Sequence, residues 1–259
     1  MRADTPVSHQ GRLAATAALT LLILLGLITG LFVLLLFTPA GIISMGLERS
    51  GVDARLLAPS GRVHRGRGQV LIESQNWGEV SWQLQPAGLL RGRLELDFTI
   101  HGSGYEAEAK AHVGLRRQFV TGIEGQLSES GLRTLLQPYD IYPSGGFTLT
   151  NGHVEVQRDR LAAVHGDGHW SGGFVRYFLG GQGWTVEFPP LDAHLRLVDG
   201  QPLLVVLDPA GDELLDVRLD LDGWAHLRIR YRFIAMAGFP WPDGPAPDTI
   251  LIELSERVL

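Results

Sequence analysis

The stretch VSWQLQPAGLLRGRLELDFTI, residues 80–100, carries the pattern that decides the fold. In its first half, Val80, Trp82 and Leu84 alternate with polar residues. In its second half, apolar residues again occupy every other position: Leu94, Leu96, Phe98 and Ile100. Because successive side chains of a β-strand point to opposite faces, each half predicts a strand with one apolar and one polar face. A short Pro-Gly break separates the two strands.

The same alternation recurs at residues 105–113, 191–207 and 215–233. Asp199-Gly200 and Asp222-Gly223 lie between alternating runs, which predicts hairpins with type I′ turns. Two further pairs, Asn151-Gly152 and Asp167-Gly168, are candidate turns. The spacing predicts an all-β, antiparallel and one-sided sheet. Its apolar face must be covered by a second sheet, by curling of the sheet on itself or by another element, and the pattern leaves these three open.

One helix is predicted, at residues 128–138. Ser128 or Ser130 is its N-cap and Pro138 ends it. Its apolar face is formed by Leu132, Leu135 and Leu136.

Residues 13–37 form an apolar run without charge or proline. A helix of that length spans roughly 37 Å, more than the hydrocarbon core of about 30 Å. A cleaved signal peptide fits less well, because its apolar region usually covers about 7–15 residues. We therefore expect a retained, single-pass transmembrane anchor.

Charges beside the anchor predict its orientation. Before the anchor, two arginines, Arg2 and Arg12, outnumber one acidic residue, Asp4. After it, the charges of Glu48 and Arg49 cancel. The positive-inside rule then places the N-terminus in the cytoplasm and the C-terminal domain in the periplasm of a bacterial inner membrane. The expected divisions are a cytoplasmic tail (1–12), the anchor (13–37), a connector (38–60) and a periplasmic β-rich domain (61–259).

The composition excludes several classes of function. The chain has no cysteine, so disulfides and thiolate chemistry are impossible. Its net charge of −6 argues against nucleic-acid binding. Nucleotide-binding loops, nucleophile elbows and metalloprotease motifs are missing from the sequence. We expect a protein that is not an enzyme and has no cofactor.

His165, Asp167 and His169 have a spacing that would place three metal-ligand types on one strand face. The glycines between them favour a turn at Asp167-Gly168 instead, and we assign no metal.

Alternating arginines mark the segment HLRIRYRF, in which Arg228, Arg230 and Arg232 share a predicted polar face. Two interpretations are open, a site for a phosphate head group or acidic partner, and cross-strand pairing with Asp216 and Asp220. The hairpin register favours pairing. The tryptophans lie near strand ends and turns, where indoles usually close a core, and stacking against a ligand is the open alternative.

The order of these features resembles the type II secretion system protein N family. The shared features are the N-terminal anchor, a tryptophan-bearing strand, the break at residues 85–92, a mid-chain Trp with glycines, and Asp-Gly hairpins towards the end. The candidate interaction or structural positions are Trp82, Pro86, Leu89, Leu90, Gly92, Trp170, Gly172, Gly173, Trp224, Arg228, Arg230 and Arg232. The resemblance carries no catalytic signature.

The resemblance implies an accessory inner-membrane component that helps to export folded proteins and contacts other secretion-system subunits. A looser similarity to AsmA-like periplasmic proteins implies an alternative, in which the apolar sheet face handles lipid between membranes. Both functions stay open at this point.

Overall fold

The computed structural model describes residues 40, 54–72, 75–89, 92–114, 117–158, 160–220, 222–239, 241 and 244–257. The predicted anchor and the tail before it lie outside these residues. Within the described part of the chain, no helix combines the length and apolar character needed to cross a bilayer.

The described residues form sixteen strands, three short α-helices and one 3-10 helix. In chain order they are β1 (Ala54–Arg62), β2 (Arg65–Ile72), β3 (Gln75–Gln85), α1 (Pro86–Leu89), β4 (Leu94–Gly102), β5 (Tyr105–Val113), β6 (Arg117–Leu127), α2 (Glu129–Leu136), the 3-10 helix (Gln137–Tyr139), β7 (Ile141–Pro143), β8 (Phe147–Gln157), β9 (Arg160–Trp170), β10 (Gly173–Leu179), β11 (Gln182–Phe188), β12 (Leu191–Val198), β13 (Gln201–Leu207), β14 (Glu213–Leu219), β15 (Trp224–Arg230), α3 (Tyr231–Met236) and β16 (Ile250–Arg257).

Thirteen strands form the main sheet, in the order β1-β2-β3-β4-β5-β6-β8-β9-β12-β13-β14-β15-β16. The small sheet has the order β11-β10-β7. Neighbouring strands pair antiparallel, and β9 pairs with β12. The predicted all-β, antiparallel class is confirmed. The main sheet begins at Ala54, within the stretch assigned to the connector.

The decisive stretch folds as expected. Trp82 of β3 lies opposite Phe98 of β4, and Leu84 lies opposite Leu96. The break between the two strands is the single helical turn α1.

The register extends this arrangement across the whole main sheet. We call the side that carries Trp82, Phe98 and Trp170 the apolar face, and the side that carries Ser81 and His169 the polar face. The small sheet and α3 cover part of the apolar face. There the ring of Phe188 lies 6.3 Å from that of Trp170 and 5.7 Å from that of Phe233. A second sheet is therefore one of the covers of the apolar face.

The helix at residues 128–138 is confirmed in large part. Ser128 is the N-cap of α2, and its hydroxyl accepts a hydrogen bond from the Gly131 amide at 3.4 Å. Leu135, predicted on the apolar face of the helix, is instead exposed.

Two of the four predicted turns are wrong. Asn151-Gly152 lies inside β8, where the pairing register shifts and Asn151 has a φ of 56°. Asp167-Gly168 lies inside β9 in extended pairing with β12. The positive φ of Asn151 thus serves a β-bulge rather than a hairpin.

The other two turns do connect strands. Asp199 and Gly200 have φ values of 52° and 80°, as a type I′ turn requires. At Asp222-Gly223 only the glycine has positive φ, and the Gly223 amide donates to the Asp220 carbonyl at 3.0 Å. This second turn is therefore not of type I′.

The last arginine strand is shorter than predicted. β15 ends at Arg230, and Tyr231 begins α3 rather than continuing the alternation. Arg232 consequently lies on a helix.

Candidate interaction surfaces

Trp82 closes one end of the apolar face. Its side chain is 6% exposed and forms a buried cluster with Leu56 and Ala40. Its indole nitrogen donates a hydrogen bond of 3.0 Å to the Val63 carbonyl. Beside this cluster lies a cavity of about 430 Å³, lined by apolar side chains of the first strands. Trp82 is thus part of the core.

The break after Trp82 has a local role. Pro86 begins α1, and Leu89 ends it. Gly92 has a φ of 69°, which favours glycine. Leu90 lies outside the described residues. The positions predicted here therefore shape the connection from β3 to β4.

The two sheets are connected by a short segment that contains Trp170, Gly172 and Gly173. The indole nitrogen of Trp170 donates to the Ser144 carbonyl at 3.0 Å, and the Phe174 amide donates to the Ser144 hydroxyl at 2.7 Å. Gly172 has a φ of 76°, and a Cβ there would lie 2.7 Å from the backbone of Pro189. These residues fix the point at which the chain passes from the main sheet to the small one.

The arginine row is paired rather than free. Arg228 donates from Nε to Asp216 at 2.9 Å, and Arg230 pairs with Glu213. Arg232 lies 2.7 Å from Asp212. The cross-strand interpretation is therefore confirmed for Asp216, whereas Asp220 pairs instead with a histidine, His226, at 3.0 Å.

Asp216 is the centre of this network, with a side chain only 1% exposed. One carboxylate oxygen accepts from Arg228, and the other lies 3.8 Å from Arg230. The hydrogen bond to Asp216 raises the pKa of Arg228 above its ordinary value. The hydrogen bond between Arg232 and the exposed Asp248 likewise raises the pKa of Arg232. Both arginines therefore stay charged.

His165, Asp167 and His169 do share the polar face of β9, but each has a partner elsewhere. Asp167 bonds to His194 at 2.8 Å, and His169 bonds to Asp192 at 2.7 Å. The His165 ring stacks on that of His153, with centroids 4.9 Å apart. Among the residues that the structure describes, no group of three ligand side chains could hold a metal ion.

Hydrogen bonds from Asn151 and His194 lower the pKa of Asp167. The Asp167 carboxylate is therefore held in its charged form, which is the form that pairs with His194 on the neighbouring strand. A general base needs a pKa near the operating pH, which this arrangement does not supply.

Several positions were not singled out from the sequence. On the polar face the His112 ring stacks on that of Phe119 with centroids 4.3 Å apart, and the tilted ring of His153 lies 6.0 Å from Phe119. Arg117 bonds to Glu155 at 2.6 Å and lowers the pKa of that carboxyl. Strand alternation places these residues on the polar face but does not reveal the register that brings them together.

The small sheet, α3 and the main sheet line an open apolar cavity of about 630 Å³. It too was not predicted, because its walls come from separate segments of the chain. The walls include Trp170, Val175, Phe188, Phe233 and Ile252.

Trp224, the remaining predicted position, is 40% exposed at the start of β15. It does not meet the other predicted positions in one site. The candidate residues thus fall into separate structural groups, namely a core end, a sheet junction and an arginine network.

These features define an all-β protein built on one large antiparallel sheet, in which several charged side chains form cross-strand pairs. The family model described as type II secretion system (T2SS), protein N, matches residues 55–240, and the chain belongs to that family. No curated protein and no solved structure is significantly similar to the chain. Membership assigns the protein to type II secretion as an accessory component, in a family that is non-catalytic, and implies contact with other subunits of that system.

Proposed function

We propose that the protein acts in the periplasm by binding other subunits of the type II secretion system, without chemistry of its own. The observation that carries this proposal is the extent of the family match. Residues 55–240 include β1 to β15 except for Ala54, so the match spans nearly the whole main sheet rather than a short motif.

The electrostatics of the polar face support a role by contact. Asp216 binds Arg228, and Asp167 binds His194, so these charges stabilise neighbouring strands. Such pairs give a sheet its register and rigidity. A rigid sheet is suited to presenting surfaces to partners.

Exposed apolar side chains offer such surfaces. Leu254 on the terminal strand β16 is 56% exposed, and Phe174 and Phe178 on the small sheet are also exposed. Large apolar groups at the surface are typical of docking sites. β16 is also an edge of the main sheet, to which a partner strand can add.

We further propose that residues 13–37 tether the domain to the bacterial inner membrane, with residues 1–12 in the cytoplasm. A tether keeps the domain near membrane partners at roughly millimolar effective concentration. Its role is then to hold the sheet in place.

Secretion of a pathway substrate into the medium tests the proposal. Replacing residues 1–37 with a cleavable signal should impair secretion, whereas replacing His165, Asp167 and His169 together with Asn should leave it largely intact. Both variants are compared with the unaltered chain at equal protein level. A dead triple variant beside a fully active untethered domain would contradict a tethered, non-enzymatic role.

Topology is tested separately. A reporter that works only in the periplasm, fused after Leu259, should be active. Activity of a cytoplasmic reporter at the same position would reverse the orientation.

The family match does not support the AsmA-like alternative. Normal secretion together with altered lipid traffic in cells that lack the protein would favour that alternative.

A further inference from the structure

Three arginines lie close together where the main sheet begins. Arg62 ends β1, Arg65 and Arg67 lie on β2, and all three are exposed. We call these three residues the arginine corner. We propose that the arginine corner binds the head groups of anionic phospholipids in the membrane that holds the anchor. This inference rests on the anchor of the proposed function and adds an ionic contact with the same membrane.

The strand register concentrates positive charge at this corner. Arg62 lies directly opposite Arg65, and Arg67, two positions further along β2, shares a face with Arg65. Like charges in directly opposite positions repel each other and destabilise a sheet. An anion between them would remove this repulsion, and the oxygens of a phosphate match the fork of donors on a guanidinium group.

The carboxylates around the arginine corner leave its charge unbalanced. Among the residues that the structure describes, no carboxylate oxygen lies within 4.0 Å of Arg65 or Arg67. Glu79 is diagonal to Arg67 on β3, and Asp97 on β4 bonds instead to the side-chain amide of Gln85. Two guanidinium groups of the corner are thus open to an external anion.

The path of the chain brings the corner close to the membrane. The Ala40 amide donates a hydrogen bond of 3.3 Å to the carbonyl of Gly61, the residue before Arg62, and Ala40 is buried beside Trp82. The proposed anchor ends at residue 37, and the three residues from there to Ala40 reach at most about 11 Å when extended. The head-group layer on each side of a bilayer is about 5–8 Å thick. The anchor therefore holds the corner within reach of the lipid phosphates.

A lipid surface fits this position better than an acidic segment of a partner protein. The short reach from the end of the anchor to Ala40 leaves little space for a folded partner between the corner and the bilayer. Basic residues close to a membrane helix generally attract anionic lipids, whose charged head groups lie beside them on the membrane surface. The chemistry of the arginines and their position thus point to the same ligand.

Fluorescence quenching by spin-labelled head groups tests the contact. The chain has no cysteine, so Ser60→Cys provides a single attachment point for a bimane dye, opposite Arg67. The labelled full chain is reconstituted into nanodiscs with a fixed fraction of head-group spin-labelled lipid, in phosphatidylcholine alone or mixed with phosphatidylglycerol. Fluorescence lifetimes should show a larger quenched population in the discs with phosphatidylglycerol, and added NaCl should remove the difference. Equal quenched populations in the two kinds of disc would overturn the proposal.

Removing the charges tests the role of the arginines. Arg65→Gln together with Arg67→Gln should lower the ratio of quenched to unquenched dye in phosphatidylglycerol discs about tenfold or more. Arg196→Gln together with Arg218→Gln is the matched control, because these two arginines are also exposed on the polar face but lie on β12 and β14. The control removes the same charge and should keep the ratio unchanged. Equal losses in the two double variants would contradict a contact at the arginine corner.

The same samples distinguish the lipid contact from the anchor on which it rests. A full chain that does not co-elute with either kind of nanodisc would contradict the anchor, and the lipid contact with it. A chain that co-elutes with both kinds but does not respond to phosphatidylglycerol would contradict the lipid contact alone. Because the two disc compositions are compared without any substitution in the arginine corner, this result decides the question even if the double variant is unstable.

An acidic protein partner would give a different result. Polyglutamate added to phosphatidylcholine discs should leave the quenching of the dye by aqueous iodide unchanged. If polyglutamate shields the dye from iodide while phosphatidylglycerol has no effect, the arginine corner binds an acidic protein segment, and the lipid contact is overturned.

Discussion

Asp216 and Arg228 lie opposite each other on β14 and β15, and the Nε of Arg228 donates to the Asp216 carboxylate at 2.9 Å. The Asp216 side chain is almost fully buried, whereas that of Arg228 is 34% exposed. The pair therefore joins a buried anion to a cation that still reaches solvent.

Asp216→Asn should lower the free energy of unfolding by about 2–4 kcal/mol. Breaking a buried ion pair typically costs about 3–5 kcal/mol, and the partial exposure of Arg228 reduces that cost. Asp248→Asn is the matched control, since Asp248 is exposed and its pair with Arg232 contributes about 1 kcal/mol or less. Denaturant unfolding of both variants measures the difference, and equal losses would place the Asp216 pair among surface ion pairs.

Trp82→Ala should destabilise the protein by about 3–5 kcal/mol, as large-to-small substitutions of buried aromatic residues do. The loss includes its contacts with Leu56 and Ala40 and the hydrogen bond to Val63. Trp224→Ala should cost less than Trp82→Ala, about 1–2 kcal/mol, because Trp224 is 40% exposed. An unchanged unfolding midpoint for Trp82→Ala would move Trp82 from the core to a binding surface.

Gly172→Ala should destabilise more than Gly200→Ala. The two glycines have φ values of 76° and 80°, so both substitutions carry the left-handed penalty of about 1–2 kcal/mol. At Gly200 the added Cβ meets nothing within 4 Å, whereas at Gly172 it lies 2.7 Å from the Pro189 backbone. This contact should add about 1–3 kcal/mol, and thermal unfolding of the two variants should show the gap. Equal melting temperatures would mean that the backbone at the sheet junction shifts to accommodate the added Cβ without loss of stability.

Acid should remove the contribution of Asp167. Because its pKa is lowered in the folded protein, the charged carboxylate stabilises the fold above its ordinary pKa of 3.8, and this stabilisation is lost as the pH falls through the folded value. Asp167→Asn should therefore melt below the unaltered chain at pH 7 and approach it in the acid range below 3.8. A difference in melting temperature that does not change with pH would exclude titration of Asp167 as its cause.

The sequence predicts the strands well where one face is apolar and the other polar. The pairing of Trp82 with Phe98 follows from such alternation. On β13 both faces are apolar: Leu204 pairs with Leu195, while Leu203 and Val205 are buried on the polar side. Alternation cannot assign a face to such a strand.

Turn residues are equally ambiguous without tertiary contacts. Asn151-Gly152 and Asp199-Gly200 both have positive φ, yet only the second pair connects two strands. The pairing of the arginines could be predicted from the hairpin register, but the cavity between the sheets could not. Its walls come from residues as distant as Tyr139 and Ile252, and local patterns do not record such contacts.

Trp170 and Leu191 lie opposite each other on β9 and β12. The chain therefore leaves the main sheet at Trp170, forms the β10–β11 hairpin, and returns to the sheet at the same position. The hairpin is in this sense an insertion, whose length is not set by the register of the main sheet. Since the entropy cost of closing a loop rises only slowly with its length, this segment can be shortened or extended while β9 and β12 keep their pairing. The length of the β10–β11 hairpin can thus change without altering the strand order of the main sheet.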